Sequence, residues 1–141
     1  LSLGSILSHT YTITNNDEVP SVAFASTESS SLENVLNPNV EISIPFVLDK
    51  NVTVDYQVSS GTATTGTDFV LTSGKATIIK GETTTSIPLS IVNDTLKESD
   101  ETIVITLSNP VNAILGTGSS FTYTILDDEN IAFPFVQILL S

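Results

Sequence analysis

Hydrophobic and polar residues alternate with a period of two along most of the chain. In "EISIPFVLD" Ile42, Ile44, Phe46 and Leu48 fall on one face, and in "VTVDYQVS" Val52, Val54, Tyr56 and Val58 do the same. "SIPLSIVN" aligns Ile87, Leu89 and Ile91; "TIVITLSNP" aligns Ile103, Ile105 and Leu107; "FTYTILDD" aligns Phe121, Tyr123 and Ile125. Threonine and serine hold the opposite positions, so each segment reads as a strand with one buried and one wet face. No window carries a helical stripe. Turn signals separate the strands at short intervals: "LNPN", "LDKN", "SSGTATTGTD", "TSGK", "KGE" and "SNPVN". The expected fold is all-β: a two-sheet antiparallel β-sandwich of immunoglobulin-like form with about seven strands. Its core is expected to take Phe46, Tyr56, Phe69 and Tyr123. Pro45 and Pro88 interrupt strand patterns and are expected at edges or bulges, since proline donates nothing to a ladder. Gly61, Gly66, Gly74 and Gly81 are expected to supply positive φ in turns.

A repeat sets the organisation. "LGSILSHTYTITNNDE" (3–18) matches "LGTGSSFTYTILDDEN" (115–130) at a constant offset of 112, and after a short gap "VAF" at 22–24 matches "IAF" at 131–133. A period of domain length describes a tandem array. Residues 1–18 then read as the last strand of a preceding repeat, 20–129 as one complete sandwich, and 130–141 as the first strand of a following repeat or a tail. The chain opens on Leu1 rather than methionine and reads as a piece of something longer or a processed product.

Charge narrows the function. With 16 acids, four lysines and no arginine, the 141-residue chain carries a formal charge of -12. It has no basic face to neutralise phosphate, so nucleic acid is not expected as a partner. The absence of cysteine removes disulfides and thiolate chemistry, and one peripheral histidine, His9, argues against a catalytic set. No apolar run is long enough to span a bilayer. "NDTLKESDET" (93–102) concentrates Asp94, Glu98, Asp100 and Glu101 in a loop between two strands. "TGTDF" places Asp68 at a strand end, and "LDDE" places Asp127, Asp128 and Glu129 where the last strand runs out. Antiparallel order returns the last strand to the end where the acidic loop lies, so these clusters should meet. Two unit charges about 4 Å apart interact by roughly 4 kcal/mol at an effective dielectric of 20. A converging set of carboxylates therefore calls for a cation, and calcium, with six to eight oxygen ligands in flexible geometry, suits it better than magnesium or zinc.

"YQVSSGTATTGTDF", "SGKATIIKGETT", "IVNDTLKESDETIVITLSNP" and "TYTILDDE" occur in order and at suitable spacing. Together they resemble the successive signatures of Calx-beta domains, modules found in sodium/calcium exchangers, an integrin beta subunit and many bacterial surface proteins. The resemblance covers Pro20 to Glu129. It implies a seven-stranded sandwich that binds Ca2+ in the loops at one end, beside the next domain. Carried over position by position, it implies metal ligands at Glu33 in "LENV", Asp68, Asp94, Glu98, Glu101, Asp127 and Asp128. Asn93 and Thr95 stand where strongly binding members have aspartate, which lowers the ligand charge and implies affinity toward the millimolar range of extracellular modules.

Other motifs read as structural. "GTATTGTD" lacks a P-loop lysine and a following helix, so it is a turn rather than a phosphate cradle. "NVT" at Asn51 and "NDT" at Asn93 are sequons that count only in a eukaryotic secretory setting. Two function classes follow. One is a non-catalytic calcium-binding module of a secreted or surface-displayed tandem array, where the ion stiffens a domain junction. The other is a metal-free spacer or adhesion stalk. The expected setting is extracellular or cell-surface, in a bacterial protein; the expected partners are neighbouring repeats. The apolar end strands at 3–13 and 131–140 also predict head-to-tail self-association by strand exchange.

Overall fold

The computed structural model describes residues 4–5, 8–14 and 17–129. Among these residues it contains strands and no helix: β1 (Ser21–Phe24), β2 (Glu28–Leu32), β3 (Val40–Ser43), β4 (Val52–Gly61), β5 (Phe69–Val70), β6 (Gly74–Ile78), β7 (Thr84–Ile87), β8 (Ser90–Ile91), β9 (Glu101–Val111), β10 (Ile114–Leu115) and β11 (Ser120–Leu126). One sheet has the order β10-β1-β3-β7 and the facing sheet β2-β11-β9-β4-β6, with a small β5-β8 ribbon beside them. The two-sheet sandwich is as expected, but the strands number eleven rather than about seven.

Proline and bends account for the difference. Pro88 falls between β7 and β8, so the "SIPLSIVN" segment leaves the four-stranded sheet and joins the ribbon. A residue without an N–H cannot continue a ladder, and the chain changes sheets there. Pro45 likewise lies just past the end of β3. The sheets are also not wholly antiparallel. After β1 the chain bends at Ala25–Thr27, crosses to the other sheet and runs as β2 parallel to β11, with Leu32 opposite Leu126. β1 and β10 form a second parallel pair.

The core follows the period-two pattern. Ile42, Val54, Ile103, Ile105 and Tyr123 are essentially inaccessible, and Phe24 stacks toward Phe121 with ring centroids 5.3 Å apart. Burying a side chain of this kind contributes about 1.5–3 kcal/mol. Phe46 departs from expectation: it is half-buried beyond the end of β3, because Pro45 has already ended the strand that would have turned it inward. Gly61, Gly66 and Gly81 have positive φ, as expected, but Gly74 does not. Gly74 lies against a tyrosine instead: a Cβ there would stand 2.9 Å from the Tyr56 hydroxyl.

β9 and β11 fix the polarity of the sandwich. They are antiparallel, with Ile125 opposite Glu101, so the start of β9 and the end of β11 share one end, here called the acidic pole. The chain enters at the far pole through Asp17–Pro20, where Ile114 N–H donates to the Pro20 carbonyl at 3.0 Å. Residues 8–14 form no strand, and Tyr11 and Ile13 are exposed. The segment 130–141, expected to begin a following repeat, lies outside the described residues, as do parts of 1–18.

Candidate metal centre

Four stretches of chain bring carboxylates to the acidic pole. Parallel pairing of β2 with β11 carries Glu33 to the end of β11, where its N–H donates to the Leu126 carbonyl at 3.0 Å. Asp68 closes the turn before β5. The Thr64 N–H donates to its carboxylate at 2.5 Å, and its own N–H donates to the Thr64 carbonyl at 2.9 Å. The Val92 N–H donates to the Asp68 carbonyl at 2.9 Å, tying this turn to the start of the long acidic loop. Asp127 Oδ1 accepts the Glu98 N–H at 2.9 Å, and its Oδ2 lies 3.4 Å from Lys97 Nζ. That carboxylate pins the acidic loop against the end of β11.

The result is two adjoining triads. Glu33, Asp127 and Glu129 each present a carboxylate oxygen within 4.8 Å of the others, and so do Asp68, Glu98 and Glu101. Five of the six line one cavity of about 10 Å³, room for a single water-sized sphere. Glu33 is 5% exposed and Asp68 8%, unusual burial for acids.

Such crowding shows in protonation. Lost hydration, a hydrogen bond with Asp68 and the charges of Asp68, Glu98 and Glu33 push Glu101 up to about 7. Glu129 rises to about 7 through a hydrogen bond shared with Glu33, then lost hydration and the charge of Asp128. Glu98 is raised by lost hydration and by Asp68, Asp94, Glu33 and Asp127. Asp127 is lowered, chiefly by the Glu98 N–H. In each triad, crowding and lost hydration thus favour the protonated form of one member.

The structure brings Glu33, Asp68, Glu98, Glu101 and Asp127 together. Asp94 lies outside the triads: its Oδ1 accepts the Leu96 N–H at 2.6 Å, closing a local turn, and its charge acts on Glu98. Asp128 adjoins Glu129 without joining a triad. Asn93 and Thr95 are exposed on the loop. Glu129 belongs to a triad although the family resemblance did not carry a ligand to it; the signal was its place as the third acid of "LDDE", three residues past the end of β11, where side chains no longer alternate. Asp17 lines the cleft at the far pole. The donors are all carboxylate oxygens, and Glu129 Oε2 is buried without a hydrogen-bond partner. This is a donor set for a hard cation, and it fits calcium.

Residues 15–129 match the Calx-beta domain family. The chain belongs to the Calx-beta family. This Calx-beta domain is 32% identical over 101 residues to sodium/calcium exchanger 1 of Canis lupus familiaris, covering 59% of this chain and 10% of that protein. It is 29% identical over 104 residues to sodium/calcium exchanger 3 of Homo sapiens, covering 59% of this chain and 11% of that protein. The chain thus spans about a tenth of the length of the relatives it matches. Among solved structures it resembles the apo-form Calx CBD1 domain, with a TM-score of 0.72 and 28% identity, covering 79% of this chain and 99% of that one. It also resembles the calcium binding domain CBD12 of CALX1.1, with a TM-score of 0.71 and 28% identity over 77% of this chain and 44% of that one.

Proposed function

We propose that this Calx-beta domain is a non-catalytic calcium-binding module of a secreted or surface-displayed tandem-repeat protein, and that the ion stiffens the junction after Glu129. One observation carries the reading: two adjoining carboxylate triads, each with a member pushed up to about 7 and one with a buried oxygen lacking a partner. A similar structure is named as a calcium binding domain, which supports the same assignment. Bound calcium supplies positive charge that takes the place of the shared protons. Glu33 and Asp68 are buried acids, the Asp68 carboxylate is held by the Thr64 N–H of its own turn, and Asp127 joins the loop to the end of β11. The ion offsets the repulsion that raises Glu98 and Glu101 and so favours their ionised forms. Asn93 leaves the loop without one of its possible charges, so affinity is expected toward the millimolar range of extracellular modules.

Calorimetric titration of the chain with calcium tests the proposal. The expected result is calcium binding that disappears in the Glu98→Gln/Glu101→Gln variant. A chain that takes up no calcium at millimolar concentration, with a melting temperature equal in calcium and chelator, is a metal-free spacer.

A further inference from the structure

A cleft of about 630 Å³ opens at the far pole, away from the carboxylate triads. That volume lies within the roughly 300–1,000 Å³ of ligand pockets. Three stretches of chain wall it: 17–20 where the chain enters, 46–50 between β3 and β4, and 112–113 just past β9. Each stretch is tied in place. The Pro20 carbonyl accepts the Ile114 N–H at 3.0 Å, the Leu48 carbonyl accepts the Gly81 N–H at 2.8 Å, and Asn112 Nδ2 donates to the Asn51 carbonyl at 2.8 Å. The cleft is therefore preformed by bonds of the fold itself.

Its lining is apolar and acidic at once. Phe46 continues the inward alternation of "EISIPFVLD", but Pro45 ends the strand pattern, and the ring lines the cleft instead of the core. Leu48 and Ala113 line it too, as do Val19 and Val47, which stay 56% and 58% exposed. Apolar surface gathered in a concave place marks an interaction site more than scattered exposed residues do. Asp17, Glu18 and Asp49 line the same cleft against one base, Lys50. A carboxylate pairs with a guanidinium or ammonium group, and the face of an aromatic ring attracts the same cations. An anion would be repelled, and a neutral apolar ligand would gain nothing from the acids. A second copy of the chain is poorly equipped to supply the cation: it has no arginine and a formal charge of -12, and its Lys75 and Lys97 pair with Asp55 and Asp127. Lys50 belongs to the cleft itself, and the backbone of Lys80 is bonded to Asn51 at the same pole.

We propose that the far-pole cleft docks a basic segment of a different protein, an arginine or lysine flanked by apolar side chains, with the apolar groups against Phe46, Val47 and Leu48 and the cation beside Glu18 and Asp49. The apolar groups supply contact area, and the acids select the charge. This site is independent of the calcium reading, because none of its residues belongs to the triads.

The probe is a fluorescein-labelled, end-blocked peptide of alternating leucine and arginine, titrated into the full chain and followed by anisotropy. Asp49→Lys should weaken its binding at least about tenfold, the scale of one charge contact reversed, and Val47→Ser should weaken it severalfold. Both positions are exposed, so melting temperatures should stay unchanged. Glu28→Lys makes the same change of charge on exposed β2, outside the cleft, and should weaken binding less than about twofold, the residue of long-range attraction after screening by salt. A peptide with glutamine in place of arginine should bind at least about tenfold more weakly. Amide shifts on peptide addition should concentrate at 18–20, 46–50 and 112–113. Absence of binding at millimolar peptide, equal binding of the glutamine peptide, or equal losses in Glu28→Lys and Asp49→Lys overturns the proposal. So do shifts confined to 92–100 and 127–129, which would assign the peptide to the acidic pole. Dimers in sedimentation without peptide that Asp49→Lys dissolves would give the cleft to a second copy and overturn it equally.

Discussion

The raised Glu101 and Glu129 set the pH dependence expected of the acidic pole. Both are raised from 4.5 to about 7, so between those values the folded chain binds more protons than the unfolded one. Stability is then present below about 4.5 and is lost as pH rises toward 7. Asp127 and Asp55 shift the other way, and their contributions fade only below the ordinary aspartate range near 3.8, so they do not cancel the trend. In chelator the melting temperature is expected to fall from pH 5 to pH 7.5, and thermal melts of Glu101→Gln should show a shallower fall. Calcium uptake near neutral pH should release protons, visible as a calorimetric enthalpy that varies with the ionisation enthalpy of the buffer. Without calcium at pH 8, Glu98→Gln/Glu101→Gln should melt above the wild type because like-charge repulsion is relieved. With calcium the order should reverse. At a hundredfold excess over Kd the wild type gains about 2.7 kcal/mol that the variant lacks.

At the scale of elements, alternation was enough to identify the inward residues of β4, β9 and β11, because period two is a local property and one face of each strand is buried. It could not show that β2 runs parallel to β11, since pairing depends on where a crossing chain lands. Glu33 therefore entered the site by family likeness rather than by topology, and only the crossing explains why it meets Asp127. Pro88 was legible as an interruption, but not as the point where the chain changes sheets. Gly61 was legible as a turn residue, and its deeper constraint is close approach to the Thr102 carbonyl on β9, combined with a φ of 131°. Gly61→Ala should destabilise the domain by more than about 1 kcal/mol, because the alanine adds both backbone strain and a clash between β4 and β9. Gly66, with a φ of 89° and open space around it, separates the two effects. Gly66→Ala should cost about 1 kcal/mol and no more, from backbone strain alone. Urea denaturation of the two variants distinguishes these costs.

The whole molecule is polar in its mechanics. Its centre is two sheets closed on apolar side chains, while one tip depends on loops that repel one another. Residues 92–100 between β8 and β9 contain no strand, and their ties to the rest of the pole include the Val92, Glu98 and Asp100 bonds to Asp68 and Asp127. Without a cation, ionised carboxylates at neutral pH push this loop away from Glu33 and Asp127, and local opening should cost far less than global unfolding. In the proposed site calcium takes ligands from all four stretches and so draws the same groups together. Hydrogen exchange in chelator should therefore be fast at 33–36, 92–100 and 127–129, and calcium should slow all three regions in concert. Amides in the centres of β4 and β9 should follow the smaller change in global stability. Magnesium is the control: it prefers six ligands at about 2.0–2.1 Å and gives up its waters reluctantly, so at equal concentration it should protect the three regions much less. Protection of only one region by calcium would mean that the triads act separately, and equal protection by magnesium would reduce the pole to a screened patch of charge.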